Sequence, residues 1–285
     1  MRPEASNLNY RPNQIRSNSA IVATGADATV DVYNTSGEVV VDVVGWFAPV
    51  SSATSGRFTS LPPARLLDTR DSSIVPIGGS VTVPLPAGVP ADTTALSLNV
   101  TVTESTGAGF VTAYPAGSEQ PLSSSLNLDA AGQTRAAGGI YPASSSGVTF
   151  FLSGGGHLVV DITGWFTGPS APASTTGLFV PVTPRRLLDT RDFGIRFTSI
   201  QIPRPDMNAD TAAINVTSVD GDPSFVTAYP AGTERPNTST VNPTGGDDIV
   251  ANLALTPVSS EGIAFMASAR THLVVDLNGW FLVSG

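Results

Sequence analysis

One feature limits the fold of this chain more than any other, which is that the sequence repeats itself. VVDxxGWF ends at Phe47, Phe166 and Phe281, and the seven residues RLLDTRD occur at 65–71 and again at 186–192. LNVT or INVT, FVTAYPAG and an SxLN-type segment stand between these two motifs in a fixed order. The chain is therefore expected to fold as a tandem of one supersecondary unit, with a period of about 115–120 residues.

The repeat divides the chain into three parts. Residues 51–167 and 168–285 each carry a complete unit, whereas residues 1–50 carry only the C-terminal half of one. Joins rich in Pro, Ser and Thr separate the parts, as is typical of linkers. We expect the first part to belong to a truncated unit whose leader peptide is missing from this chain. The alternative is that residues 1–47 add strands to the next unit.

The local patterns favour strands. LSLNVTVT, at 96–103, alternates apolar and polar residues as a half-buried strand does, and Pro115 and Pro230 each end a copy of FVTAY. No helical stripe accompanies the 28 glycines and 23 prolines. The sequence predicts an all-β fold in which each unit is an antiparallel β-sandwich of jelly-roll or immunoglobulin-like type, with about eight or nine strands. A closed barrel is the alternative.

Composition excludes several classes of protein. The net charge is −9, and the 14 basic residues, all arginine, form no cluster, so nucleic-acid binding is not expected. The absence of Cys excludes disulfides, thiolate catalysis and Cys-based zinc sites. No apolar run approaches the ~18 residues that a membrane-spanning helix needs.

The charged residues of RLLDTRD are candidates for a structural brace. Each VVDxxGWF strand places one aspartate among apolar residues, and a buried carboxylate needs a partner. We expect the second arginine of each RLLDTRD to anchor such a carboxylate or backbone carbonyls. The predicted brace consists of Asp68, Arg70, Asp189, Arg191, Asp42, Asp161 and Asp276. The alternative is that Asp68 and Arg70 contact a ligand.

The three tryptophans, Trp46, Trp165 and Trp280, occupy the same place in the repeat. Their aromatic faces could stack on sugar rings, which makes them candidate ligand-binding residues. We expect core packing instead, with the preceding glycine allowing a bend or a close approach of backbone.

The two histidines, His157 and His272, also stand at matching positions, four residues before an aspartate. In a strand His157 and Asp161 share one face, so a catalytic dyad or a ligand site is one interpretation. No GxSxG motif and no further repeated metal ligand accompany them. We therefore expect no catalytic residue, no metal site and no cofactor, and we predict that the chain is not an enzyme.

In combination the motifs resemble a repeat of secreted and cell-surface proteins of actinobacteria. The resemblance rests on PxRxLDTR, NVTVT, GFVTAYPAG, RPxASNLNY and HLVVDxxGWF and covers nearly the whole chain. In that family the repeat stands in tandem or beside wall-active hydrolases. The resemblance implies export and an extracellular or cell-wall location, and it carries no catalytic residues to transfer.

These observations lead to one leading hypothesis and two alternatives. The leading one is a non-catalytic extracellular or cell-wall-associated β repeat module, acting as a spacer or stalk or as a glycan-binding accessory region. Its partners would be cell-wall polysaccharide or another surface protein. The alternatives are a surface protein that self-assembles through exposed strand edges and an accessory part of a cell-wall hydrolase.

Overall fold

The structure is a computed structural model that describes residues 5–283. Strands make up 47% of it and pair in antiparallel sheets, so the all-β sandwich prediction is confirmed. Residues 58–166 form one sandwich, here called the first sandwich, and residues 179–282 form the second sandwich. Residues 5–52, the N-terminal segment, precede them.

The first sandwich is built from two four-stranded sheets. Their orders are β1-β8-β3-β6 and β2-β7-β4-β5. The strands are β1 (Phe58–Asp68), β2 (Gly79–Val83), β3 (Ala95–Thr103), β4 (Gly109–Pro115), β5 (Leu126–Leu128), β6 (Arg135–Pro142), β7 (Val148–Leu152) and β8 (His157–Phe166), with a 3₁₀ turn at Thr69–Asp71.

The second sandwich repeats this topology with a longer last strand. Its strands are β9 (Phe179–Asp189), β10 (Phe197–Ile202), β11 (Ala209–Val219), β12 (Val226–Pro230), β13 (Val250–Pro257) and β14 (Ile263–Leu282). The first part of β14 pairs with β10 and β12, and its last part lies between β9 and β11. The matching strands β7 and β8 are separate because Gly155 and Gly156, with φ of 66° and 138°, interrupt the path between the two sheets.

Apolar and polar residues alternate along β3, so the apolar side chains on one face of the strand pack into the core. Leu96, Leu98 and Val100 are buried between the two sheets of the first sandwich. The polar residues of the opposite face, among them Ser97 and Asn99, are buried as well. The sequence pattern predicts a half-buried strand, and the polar face is buried because part of the second sandwich lies against it.

The N-terminal segment forms no strand in its described residues, so the alternative in which residues 1–47 add strands to the next unit is not observed among them. Directly after the segment, an isolated bridge joins Ala53 to Ser174. Residues 1–4, which belong to the same predicted half unit, lie outside the described residues.

Three equivalent phenylalanines nevertheless bring all three parts of the chain together. The ring centroids of Phe47 and Phe166 are 6.1 Å apart, and that of Phe281 lies 5.8 Å from each. These nearly equal distances place the three GWF motifs at the corners of a triangle. The N-terminal segment thus occupies the third position of an approximately threefold arrangement.

Candidate functional site

The first arginine of RLLDTRD forms the centre of a charged cluster in the first sandwich. Antiparallel pairing of β1 with β8 places Arg65 opposite Asp161, which is 1% exposed. Arg65 Nε donates to Asp161 Oδ1 at 2.5 Å, and Nη1 donates to Asp68 Oδ2 at 2.7 Å. Asp161 is therefore paired as expected, but with Arg65 rather than with Arg70.

The second arginine has a local role. Asp68 caps the 3₁₀ turn by accepting a hydrogen bond from the backbone N–H of Arg70. The Arg70 guanidinium returns to the same carboxylate, with Nε 2.8 Å from Oδ1 and Nη2 2.5 Å from Oδ2. The Arg70 side chain is 49% exposed. It closes the turn and does not reach the buried aspartate.

The second sandwich reproduces this cluster. Arg186 Nε donates to Asp276 at 2.6 Å and Nη1 donates to Asp189 at 2.7 Å, while Arg191 binds Asp189 at 2.6 Å. The identical seven-residue motif thus produces the same contacts twice, as expected of a device that belongs to the fold.

These contacts shift the carboxylate pKa values in opposite directions. Hydrogen bonds from Arg70 lower the pKa of Asp68 from 3.8 to about 2. Burial raises the pKa of Asp161, and it outweighs the opposing effect of the Arg65 guanidinium. The matching residues of the second sandwich shift in the same directions. The ionised form of Asp161 therefore depends on Arg65.

Asp42 departs from this pattern. It holds the same place in the repeat as Asp161 and Asp276, but it is exposed and forms no ion pair with any described residue. No strand carrying LDTR lies beside it within residues 5–283. The brace predicted for Asp42 is consequently not formed among the residues that the structure describes.

The histidines contact the same charged motif. Thr69 Oγ1 accepts a hydrogen bond from the Leu158 N–H at 2.8 Å and lies 3.2 Å from His157 Nδ1. His272 makes the same contact with the threonine of its own motif. Within the described chain no hydrogen bond joins His157 to Asp161, and no group of three His, Cys, Asp or Glu side chains could hold a metal ion.

The tryptophans fall into two classes. Trp165 and Trp280 are half-buried and pack against the cores of their sandwiches. A Cβ on Gly164 would lie 2.3 Å from a phenylalanine ring of β1, so glycine is required there for close packing. Trp46 is 86% exposed, and a Cβ on Gly45 would meet nothing within 4 Å.

The asparagine of LNVT forms a junction between the sandwiches. Asn99 Nδ2 donates to the carbonyl oxygen of Ser239, in the SxLN-type segment of the second sandwich. Asn252 Nδ2 donates to Asn99 Oδ1 at 2.9 Å, and Asn252 Oδ1 accepts from the Gly138 N–H at 2.6 Å. Ser239 N–H also approaches Asp161 Oδ2, at 3.4 Å. The junction is thus continuous with the charged cluster.

The same junction recurs between the second sandwich and the N-terminal segment. Asn215 Nδ2 donates to the carbonyl oxygen of Ser6 at 2.7 Å, and Asn18 Nδ2 donates to Asn215 Oδ1 at 3.0 Å. Asn18 Oδ1 in turn accepts from the Leu253 N–H at 3.0 Å. The SxLN segment of one unit therefore binds the LNVT strand of another.

The predicted linkers are tied to each other. The Arg57 side chain is buried and donates to three carbonyl oxygens, those of Ala53 at 2.7 Å, Pro172 at 2.8 Å and Thr176 at 2.9 Å. Two of these three acceptors lie in the join between the two sandwiches. One arginine thus fixes both joins, which the composition alone predicts to be loose.

A cavity at the junction is too small for a sugar. It has a volume of about 30 Å³ and is lined by residues that include Asn99, Asp161 and Ser239. A space of this size admits no more than a few water molecules. The polar groups around it serve the junction itself.

Comparison with known proteins does not assign a family. No family model matches the chain, and no curated protein matches its sequence. The relation to actinobacterial surface repeats therefore stays a prediction. Among the described residues, no helix combines the length and apolar character that crossing a membrane requires.

Proposed function

We propose that this chain is a non-catalytic structural module, a rigid spacer located outside the cell or in the cell wall. One observation carries the proposal. The charged and amide side chains that recur with the motifs, among them Arg65, Asp161 and Asn99, contact other residues of the same unit or of a neighbouring unit. A ligand site would instead leave such groups directed towards a cleft.

Three further contacts support a fixed arrangement of the units. Arg57 ties the two joins together, and the phenylalanine triangle forms an apolar centre shared by all three parts. Arg16 of the N-terminal segment pairs with Asp248 of the second sandwich at 2.5 Å, and both side chains are buried. Because these contacts lie between units, they oppose movement of one sandwich against the other.

The test is a distance distribution between two spin labels. The chain has no Cys, so Glu119→Cys and Glu234→Cys, at matching exposed positions, give a uniquely labelled pair across the two sandwiches. A pair within the first sandwich, Glu119→Cys with Ser80→Cys, provides the width expected of a rigid body. The proposal predicts one narrow peak for both pairs. A much broader distribution across the sandwiches would contradict it.

Surface location is the second part of the proposal, and it is supported by the resemblance of the motifs to exported repeats. It is tested by adding protease to intact cells that produce the protein. A surface module is degraded while a cytosolic marker survives. If the chain survives until the cells are lysed, this part of the proposal fails.

Glycan binding is a second candidate, and one observation favours it. The exposed indole of Trp46 presents a face on which a sugar ring can stack. Retention on purified peptidoglycan should then be lost in Trp46→Ala and kept in Phe193→Ala, which removes another exposed aromatic ring. If the parent chain is not retained at all, the spacer function stands alone.

A further inference from the structure

Residues 39–47 form an exposed apolar stretch whose counterparts are buried. Val40 is 87% exposed and Val43 is 83% exposed. The matching residues of the first sandwich, Val159 and Ile162, are 5% and 1% exposed. The two stretches have nearly the same sequence, so the difference lies in what surrounds them.

The surroundings of β8 show what residues 39–47 lack. In the first sandwich β8 lies between β1, which carries RLLDTRD, and β3, which carries LNVTVT. In the second sandwich the last part of β14 lies between β9 and β11, which carry the corresponding motifs. Among residues 5–283 no strand pairs with residues 39–47.

The C-terminal end of the stretch is already held in the position that a third unit would take. Phe47 stacks on Phe179 at 4.8 Å and completes the phenylalanine triangle. Elsewhere in the segment, the Ile15 N–H donates to Asp129 of the first sandwich at 2.8 Å. Phe47 therefore lies in a position equivalent to those of Phe166 and Phe281, and among residues 5–283 no strand covers either edge of the stretch.

The junctions between units also indicate that one LNVT strand is missing beside residues 39–47 of the described chain. The SxLN-type segment of the second sandwich binds the first sandwich, and that of the N-terminal segment binds the second sandwich. Among residues 5–283 no LNVT strand binds the corresponding segment of the first sandwich, at 124–127, which Ser17 Oγ contacts at the Ser125 carbonyl oxygen. Such a strand would lie beside residues 39–47 and close the ring of three.

From these observations we infer that residues 39–47 are an acceptor for a pair of β-strands that residues 5–283 do not supply, one strand carrying RxxDTR and the other LNVT. Insertion of residues 39–47 between them would bury the valines. The arginine would pair with Asp42 as Arg65 pairs with Asp161. The asparagine would bind the 124–127 segment as Asn99 binds Ser239.

A second copy of residues 39–47 is a poorer partner. Antiparallel pairing of this stretch with itself, in registers that keep the valines paired, would bring the two Asp42 carboxylates opposite or diagonal to each other. Like charges so placed destabilise a sheet. An arginine-bearing strand is favoured because it neutralises Asp42.

The test uses the full chain and a probe that copies residues 56–104, with β1, β2 and β3, fused to a soluble carrier. We expect a complex of one probe per chain, in which amide hydrogen exchange slows at 39–44 and not at 159–163. Val43→Asp in the chain, or Arg65→Leu in the probe, should weaken binding about tenfold or more. Val22→Asp, at another exposed valine of the N-terminal segment, should leave it unchanged.

Three results would overturn the inference. The first is absence of a complex at micromolar concentrations. The second is a complex without added protection at 39–44. The third is concentration-dependent self-association of the chain alone, with protection at 39–44 that Val43→Asp abolishes, because it would assign the stretch to a second copy.

Discussion

Residues 39–47 and strand β8 share the VVDxxGWF motif, but the structure places them in different surroundings. VVVDVVGWF lies exposed and unpaired, whereas VVDITGWF forms a buried central strand. The difference is that β8 has β1 and β3 on either side, so its backbone groups are paired and its aspartate meets Arg65. A run of β-branched residues therefore becomes a strand only where neighbours satisfy its backbone.

The largest loss of stability is expected when the arginine that pairs with the buried aspartate is removed. Arg65→Met or Arg186→Met leaves a buried aspartate without its partner, which costs roughly 3–5 kcal/mol. Arg11→Met, in the exposed N-terminal segment, should change stability by less than about 0.5 kcal/mol. Urea unfolding monitored by circular dichroism measures all three. If all three variants were equally stable, the charged cluster would contribute no more to stability than the exposed N-terminal segment.

The glycines of the GWF motifs allow the two regions to be compared by adding one methyl group to each. A methyl group on Gly164 would overlap the Phe58 ring and the Thr59 carbonyl oxygen, at 2.3 and 2.4 Å, whereas one on Gly45 meets nothing within 4 Å. Gly164→Ala should destabilise the chain by about 1–3 kcal/mol, and Gly45→Ala should be nearly neutral. Thermal unfolding of the two variants side by side checks this. A destabilising Gly45→Ala would mean that residues 39–47 are packed in solution.

The junction asparagine should have an effect of similar or smaller size. Asn252→Ala leaves the Gly138 N–H and the Asn99 Oδ1 without their partner, at a cost of about 1–3 kcal/mol. Hydrogen exchange should then speed up at β6 and β13, where the sandwiches meet. Asn208→Ala, at an exposed position, is the control. Unchanged exchange at β6 would show that the junction does not couple the units.

Acid sensitivity tests the capped turn of the first sandwich. The folded pKa of Asp68, about 2, lies below its ordinary 3.8, so this group contributes stability that is present above pH 3.8 and lost as the pH falls towards 2. The shift corresponds to at most about 2 kcal/mol. Asp68→Asn should flatten the decline in stability between pH 4 and 2. Urea titrations at several pH values measure this, and parallel curves for parent and Asp68→Asn would contradict it.

The smallest effect is expected for the arginine that the sequence pattern favours as the anchor. Arg70 is half-exposed and pairs with a carboxylate two residues away, so Arg70→Leu should cost only about 0–1 kcal/mol. Chemical denaturation of this variant beside Arg65→Met separates the two roles. If Arg70→Leu lowered the free energy of unfolding more than Arg65→Met did, Arg70 would be the anchor, as the sequence pattern predicts.

Local patterns predicted the architecture but not the contacts that hold it together. The repeat and the alternation at 96–103 were sufficient for the all-β fold. Strict alternation along RLLDTRD selects Arg70, but a β-bulge between Arg65 and Leu67 and the 3₁₀ turn at Thr69 change which residues face β8. Such a shift in register arises from pairing with a distant strand. Because both copies of RLLDTRD are identical, the sequence indicated that the first arginine, Arg65, has a structural role as well as the second.

The junctions could not be predicted, for a related reason. Asn99 occurs in an NVT sequence that is compatible with an ordinary ladder residue, and its partners Ser239 and Asn252 lie more than a hundred residues away. Arg57 likewise stands in a join whose composition predicts a flexible linker. In both cases the interaction depends on packing between units, which no local window of sequence contains.

The central claim is that the repeated charges stabilise the fold, and a double-mutant cycle between Arg65 and Asp161 tests it most directly. Arg65→Met, Asp161→Leu and the double variant are compared with the parent by urea unfolding. The structure predicts that the double variant is less destabilised than the sum of the two single variants, with a coupling energy of about 2–3 kcal/mol. A coupling below about 0.5 kcal/mol would show that the pair does not brace the sandwich.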